Sequence, residues 1–440
     1  MTITKCLRDH FRRIKIRMNL GLAKVAKGTH FIPEKPRRIV RDWLIRVTTP
    51  KAEKPYREPR RNGRIIQPAG INEFGFFRAQ IGLSQGAKLY AKAIKQAGIP
   101  CVLLDPDFVE PRTDHSFDAA IKKRGKYAVN LIHINPGQLE RTFREYPHWM
   151  FDHHYNIGVW LWELETIPEA WKEKLKYVDE LWAPSGFIAD AVRKATEKPV
   201  TLIPYGIETP RDERTRKDFG LSEDAFLVLA MYDSRSYAAR KNPDGAIAAF
   251  QKAFGKSDGN AMLVLKVSNG KEDEIKKLDA KMKSLGIRYQ LITEQFSKPG
   301  LNSLIACCDV FISLHRSEGF GLVIAEAMSL GVPVIATGWS ANAEFMPDSC
   351  TWKVGYRFIP VNNDYQYGSA AHRWADPDIS EAADDLREIR ENPEKARRMA
   401  DEAMRYIQRE WSIEKSGERI KERYEQICAE LRIRGEMPGR

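Results

Sequence analysis

The chain has little of what would make it a metal-bound, disulfide-stapled or membrane-spanning protein. Only six of its 440 residues are cysteines (Cys6, Cys101, Cys307, Cys308, Cys350 and Cys428), and no pair of them has C-x-x-C spacing. They read as reduced, mostly buried thiols of a cytosolic protein, not as a metal site or a disulfide framework. The one adjacent histidine pair, His153-His154, has no third ligand in view, so no metal is expected. No apolar run reaches the roughly 18 residues that a spanning helix needs. The first residues are charged throughout and contain no apolar core segment, so no signal peptide is expected and the chain reads as cytoplasmic. Internal repeats are absent beyond two similar strand–helix series.

The charge, by contrast, is lopsided. Residues 1–64 carry 19 Lys/Arg against 5 Asp/Glu, whereas the remainder carries 52 against 54. The net charge of +12 therefore belongs to an N-terminal arm, and the body is near neutral. Within the arm, Leu7, Phe11, Ile14 and Met18 fall on one helical stripe. Arg8, Arg12, Arg13, Lys15 and Arg17 cover the other faces. This is the composition of an interfacial membrane helix, and equally of a helix packed on the body with a solvated basic face. No aromatic stacking series accompanies the charge, so nucleic acid is not the expected partner. Residues 48–64 are proline-rich and charged and read as a linker, which makes residues 1–63 an arm outside the body.

From Arg64 onward, short apolar runs alternate with helical periodicity. Strands are expected at 65–69, 100–105, 128–134, 157–160, 180–183 and 201–203, with a helix at 83–97. A second series follows, with strands at 226–231, 261–267, 289–292, 310–314 and 332–336. Its helices are expected at 243–253, 273–285 and 302–307, with another carrying Glu326. Ile413, Ile420, Tyr424, Ile427 and Leu431 mark a final helix. Such alternation predicts βαβ units and parallel sheets, hence an α/β fold.

The densest chemistry lies in Ser313-Leu-His-Arg-Ser-Glu-Gly-Phe-Gly-Leu-Val-Ile-Ala-Glu-Ala-Met-Ser-Leu-Gly-Val-Pro-Val-Ile-Ala336. Glu318 and Glu326 stand eight positions apart, so a carboxylate in a turn and one on a helix can reach one ligand from two heights. The pattern resembles the E-x7-E signature of retaining glycosyltransferases of the family-4 type. Those enzymes have the GT-B fold: two facing Rossmann-like domains with a cleft between them. The resemblance covers about residues 64–434. It implies an N-terminal acceptor domain over 64–206, a nucleotide-sugar domain over 207–410, and a segment 411–440 that crosses back to the first domain. Pro204-Tyr205-Gly206-Ile207 resembles the crossover between the two. In the resemblance Glu326 meets the donor ribose. Glu318, with the amides of Gly319, Phe320, Gly321 and Leu322, meets the sugar and diphosphate.

A departing nucleoside diphosphate needs fixed cations and amides. Asp233-Ser-Arg235-Ser-Tyr-Ala-Ala-Arg240-Lys241-Asn242-Pro243 resembles two versions of the family clamp, one using Arg235 and Lys241, the other Arg240 and Lys241. The loop from Gly75 to Lys88 resembles the family's glycine-rich phosphate loop and keeps Gly82, although Ser84, Gln85 and Lys88 depart from it. His315 and Arg316 precede Glu318 at a strand's carboxyl edge, where open α/β sheets bind ligands, and are read as either donor-facing or packing residues. Residues 339–346 resemble a subgroup segment bordering the donor.

On the acceptor side stand His133, Trp160, Trp162 and Glu163. Trp faces suit sugar rings, and Glu163 would orient a hydroxyl. The alternative for the tryptophans is a place in the core. The resemblance implies transfer of a hexose from a UDP- or GDP-sugar to a glycan or lipid-linked acceptor, without metal or other cofactor. The arm over residues 1–60 would bring the chain to an anionic membrane surface. A catalytically inactive homologue that binds lipid or glycan is the competing reading, and the intact Glu318, Glu326 and Lys241 oppose it. A pyridoxal-phosphate phosphorylase is opposed by the lack of a lysine in a recognisable Schiff-base context.

Overall fold

The computed structural model describes residue 59 and residues 64–437, apart from 110–111, 256–258, 362–364, 366–367 and 369–370. The chain separates into Met1–Tyr56 and Arg57–Arg440. The basic helix expected in the arm lies outside the described residues, all of which belong to the second unit.

Two parallel sheets organise that unit. The first contains β1 (Ile71–Phe74), β2 (Cys101–Leu104), β3 (Val129–Ile132), β4 (Tyr155–Val159), β5 (Glu180–Ala183) and β6 (Val200–Leu202) in the order β2-β1-β3-β4-β5-β6. Crossovers between them include α1 (Gly82–Gln96), α2 (Pro136–Glu145) and α3 (Gly186–Arg193). The second contains β7 (Phe226–Asp233), β8 (Ala261–Ser268), β9 (Tyr289–Ile292), β10 (Val310–Ser313), β11 (Val334–Thr337) and β12 (Trp352–Val354) in the order β12-β11-β10-β7-β8-β9. Its helices are α4 (Pro243–Phe254), α5 (Glu272–Leu285), α6 (Lys298–Ala306) and α7 (Leu322–Ser329), followed by α8 (Ile379–Glu391) and α9 (Pro393–Glu410). These are two Rossmann-like domains, the GT-B arrangement that the resemblance implies.

One expected strand is misplaced. Residues 65–69 form none, and the first strand is Ile71–Phe74, just before the glycine-rich loop. Ile65 instead donates its amide to Glu436 O, 2.6 Å away, at the far end of the chain. The true strand was hidden because Asn72 and Glu73 look like loop residues. Asn72 is buried because it has partners: its Nδ2 donates to Asn130 Oδ1 (2.9 Å), whose own Nδ2 donates to Asn156 Oδ1 (2.8 Å). Asn72, Asn130 and Asn156 are register partners on β1, β3 and β4, so a ladder of amides replaces apolar contact there. A hairpin of β13 (Tyr356–Pro360) and β14 (Arg373–Pro377) was not foreseen. Helix α6 also begins four residues earlier than expected, because Ser297 Oγ accepts from Gly300 N (3.3 Å) and so caps it.

The chain passes between the domains twice, side by side. Ile207 N donates to Trp411 O at 2.7 Å, and Ser416 Oγ donates to Pro204 O at 2.8 Å. Gly206 is required at this crossing, since a Cβ there would stand 2.5 Å from Ile413 Cα. Helix α10 (Ile413–Ile433) then lies on α1, with Gly417 set against Ala93 O.

Candidate active site

A cavity of about 820 Å³ opens between the domains at the carboxyl ends of both sheets. Its second-domain wall holds the cations. A single helical turn, Ala238–Lys241, follows β7 and is flanked by two non-glycine residues of positive φ, Tyr237 (65°) and Asn242 (51°). Such conformations carry strain and persist where the surroundings fix them. Here Asn242 fixes the turn by donating to Leu314 O (2.8 Å) and accepting from Gly245 N (3.2 Å). The result sets Arg240 and Lys241 against Glu318.

Lys241 Nζ is ion-paired with Glu318 Oε1, and Arg240 lies 3.5 Å from Glu318 Oε2 and 3.4 Å from Glu163 Oε1. The Arg240 guanidinium is buried and also donates to Ser317 O at 2.7 Å. Burial opposes ionisation of Glu318, but Lys241 and Arg240 outweigh it and push its carboxyl down to about 2. Arg235 lines the cavity and stands 3.6 Å from Asp233.

Two helix ends point into the same space. Neither α1 nor α7 has a side-chain N-cap, so their first amides are left for an anion. Gly82 at the start of α1 lines the cavity, and a Cβ there would meet nothing within 4 Å. Gly319, Phe320, Gly321 and Leu322 line it from the other side. Gly319 also seals the domains together: a Cβ would stand 2.7 Å from Trp162 O, and Ser185 Oγ donates to Gly319 O at 2.7 Å.

Glu326 sits on α7, buried, with Oε1 ion-paired to Lys298 at 2.6 Å and Oε2 without a hydrogen-bond partner among the described residues. Trp162 and Glu163 line the cavity. Trp162 donates its indole N–H to Thr166 O (2.7 Å), and Tyr365 donates to Glu163 Oε2 (3.2 Å).

Five of the expected site residues are not brought to the cavity wall: Glu326, which lies behind Leu322, Val323 and Ile324 on α7, and four others. Trp160 is buried in the core, its ring 6.2 Å from that of Trp171. His133 is buried behind Tyr205 and accepts or donates through Nε2 to the Tyr205 hydroxyl at 2.9 Å, depending on its tautomer. Burial holds its pKa down at about 3. His315 is buried against Ser313 and Asn342 Oδ1 (2.9 Å). Arg316 ties the turn to the hairpin through Asp376 (2.9 Å) and Ala239 O (2.6 Å). Trp339 packs on Phe187, Tyr356 and Phe358 instead of bordering the cavity.

Sequence reasoning gave no site role to Tyr205, Tyr237, Tyr365 or Lys298, and read Ser340 only within the stretch 339–346 bordering the donor. Ser340 Oγ accepts from Glu318 N at 2.8 Å, so it holds the loop that presents Glu318. Only Lys298 carried a local signal, as the first helical residue after the capping Ser297. Among the described residues no three His, Cys, Asp or Glu side chains converge as a metal site would need.

Comparison with known proteins agrees with this geometry. Residues 212–351 match the family model described as Glycosyl transferases group 1. In structure, the chain is similar to HepE of Anabaena in complex with UDP and glucose (TM-score 0.61, 14% identity, covering 81% of this chain and 100% of that one). It is similar also to the sucrose-phosphate synthase of Thermosynechococcus elongatus (TM-score 0.59, 18% identity, 82% and 100%). A glycosyltransferase from Rickettsia africae gives a TM-score of 0.57 at 13% identity (82% and 99%). In sequence, a stretch of 60 residues is 38% identical to a sulfoquinovosyl transferase of Arabidopsis thaliana, spanning 14% of this chain and only 12% of that protein.

Residues 212–351 thus match a glycosyl transferases group 1 domain, and the fold of the chain has GT-B architecture. The matched stretch contains Arg235, Arg240, Lys241, Glu318 and Glu326, so the charged side of the cavity belongs to the glycosyl transferases group 1 domain.

Proposed function

We propose that the chain is a retaining glycosyltransferase that moves a hexose from a UDP- or GDP-sugar to a glycan or lipid-linked acceptor, without a metal ion. The observation that supports it best is the cluster of Lys241, Arg240 and Arg235 facing two uncapped helix ends across one cavity. As the sugar–phosphate bond breaks, negative charge grows on the diphosphate. Lys241, Arg235 and the amides after Gly82 and Glu318 stabilise it without rearranging. Arg240, buried between Glu318 and Glu163, holds the cluster in place.

The acceptor enters from the first domain, beside Trp162, and attacks the face that the diphosphate leaves. Glu163 orients the incoming hydroxyl. Glu326, with one oxygen free of partners, takes the donor ribose. The basic arm over residues 1–60 holds the enzyme to the inner face of an anionic membrane, where lipid-linked acceptors reside.

The test is a panel of UDP- and GDP-sugars. One donor should raise the melting temperature and be slowly hydrolysed, and NMR of the released or transferred sugar should show the donor's anomeric configuration. Inversion would overturn the retaining mechanism, and indifference to every sugar nucleotide would overturn the reading as a whole.

A further inference from the structure

Where β7 and β8 end, beside Asp233 and Arg235, the cavity changes character. Met231, Leu301 and Phe311 line it there with two hydroxyls, Ser268 and Ser313. An apolar slot with a few fixed polar groups suits a flat heteroaromatic ring. If the cleft takes a nucleoside-diphosphate sugar, and this inference rests on that reading, the base falls in this slot and the diphosphate against Lys241.

Beneath Ser268 lies a lysine that takes no part in the transfer chemistry. Lys266 is on β8, opposite Met231 in the register with β7, and is 1% exposed. Among the described residues no carboxylate stands within ion-pair distance of it. Its Nζ donates to Ser268 Oγ at 3.0 Å and reaches Val267 O at 3.4 Å, and the Phe296 ring centroid lies 5.8 Å away. Asp233 and Glu294 act on it only through their fields. Both carboxylate oxygens of Asp233 are already used, by Arg235 N and Asn269 Nδ2.

An ammonium group can only donate. Ser268 Oγ must therefore accept from Lys266, which turns its own hydrogen elsewhere. Among the described residues that hydrogen has no acceptor, and Ser268 faces the cavity. The arrangement presents a hydrogen-bond donor to whatever lies in the slot. Uracil and guanine carry a keto oxygen where cytosine and adenine carry an amino group that is itself a donor.

We propose that Ser268, its hydroxyl aligned by the buried Lys266, donates to the keto oxygen of the donor's nucleobase, so that the cleft accepts uracil or guanine and rejects cytosine and adenine. Ser268 is the contacting residue and Lys266 its positioning residue.

Calorimetric titration with UDP, CDP, GDP and ADP tests this, because UDP and CDP differ at the group in question. The wild-type protein should bind UDP over CDP, or GDP over ADP, by about tenfold or more, the scale of one hydrogen bond made against one lost. Ser268→Ala should bring the preferred ratio close to one. Lys266→Met, similar in length and apolar, should reduce it several-fold by freeing the hydroxyl to rotate, with the fold confirmed by circular dichroism. Equal binding of keto and amino bases by the wild type would overturn the inference and leave the donor reading intact, as would a Ser268→Ala protein that keeps the full ratio. Failure to bind any of the four would overturn both.

Discussion

Glu163 of the first domain and Arg240 of the second face each other across the cleft at 3.4 Å, with Tyr365 donating to the same carboxylate. The charges that hold the clamp together are thus shared between domains that the described residues join by two adjacent crossings. Interfaces of this kind permit relative domain motion, and closure gates many turnover rates. Small-angle scattering should show a smaller radius of gyration with saturating sugar nucleotide than without, and Glu163→Ala should lessen that change. Superimposable profiles under saturating donor would count against closure at the Pro204–Gly206 crossing.

Lys241 and Glu326 carry the sharpest prediction about chemistry. In the proposed function Lys241 meets the diphosphate and Glu326 the ribose; Lys241 ends a short turn, and Glu326 pairs with a partly exposed Lys298. Lys241→Ala and Glu326→Ala should each cut transfer by orders of magnitude, since one such contact contributes about 2–4 kcal/mol to the transition state. Circular dichroism and melting curves should stay close to wild type. Full activity of either variant with a confirmed donor would refute its assignment.

Much of this architecture could be read from the sequence, for identifiable reasons. Strands such as Glu180–Ala183 and Tyr289–Ile292 emerged where apolar runs are bounded by breakers. The cation cluster emerged because Arg235, Arg240, Lys241 and Glu318 lie in compact motifs close to strand ends. What stayed hidden depends on distant partners. Nothing local shows that Asn72 belongs to a buried amide ladder, or that Tyr365, 202 residues from Glu163, donates to it. Trp160 and Trp162 are two positions apart, yet one faces the core and the other the cavity, because β4 ends at Val159 and strand alternation no longer governs either of them. His133, His315 and Arg316 have motif neighbours at the site, while their own hydrogen bonds turn them away from it.

The basic arm predicts a salt-dependent membrane contact. Each Lys or Arg near an anionic surface is worth about 1 kcal/mol, screened over a Debye length of roughly 8–10 Å. Sedimentation with vesicles rich in phosphatidylserine should recover the full chain at low salt and lose it as salt rises. Deleting residues 1–60 should abolish binding and spare transfer to a soluble acceptor. Equal binding by the truncated protein would remove the arm as anchor, and retention of nucleic acid without vesicle binding would remove the membrane reading.

Glu73 predicts an unusual pH dependence of stability. It lies on β1, wholly buried, and among the described residues neither carboxylate oxygen has a hydrogen-bond partner. Burial raises its pKa well above the ordinary carboxylate value, so the folded chain holds a proton that the unfolded chain releases. The sign follows from linkage. A folded pKa above the unfolded one gives a contribution that is complete at acid pH and shrinks as pH rises past the unfolded value of about 4.5. Glu73→Gln keeps the shape and removes the titration. Its melting temperature should therefore exceed wild type by a margin that widens between about pH 5 and pH 8. Calorimetric melts across that range measure the margin. A constant margin would mean that Glu73 does not titrate between the two states, and a margin that narrows as pH rises would mean that its carboxylate is held ionised in the fold by a partner of opposite charge.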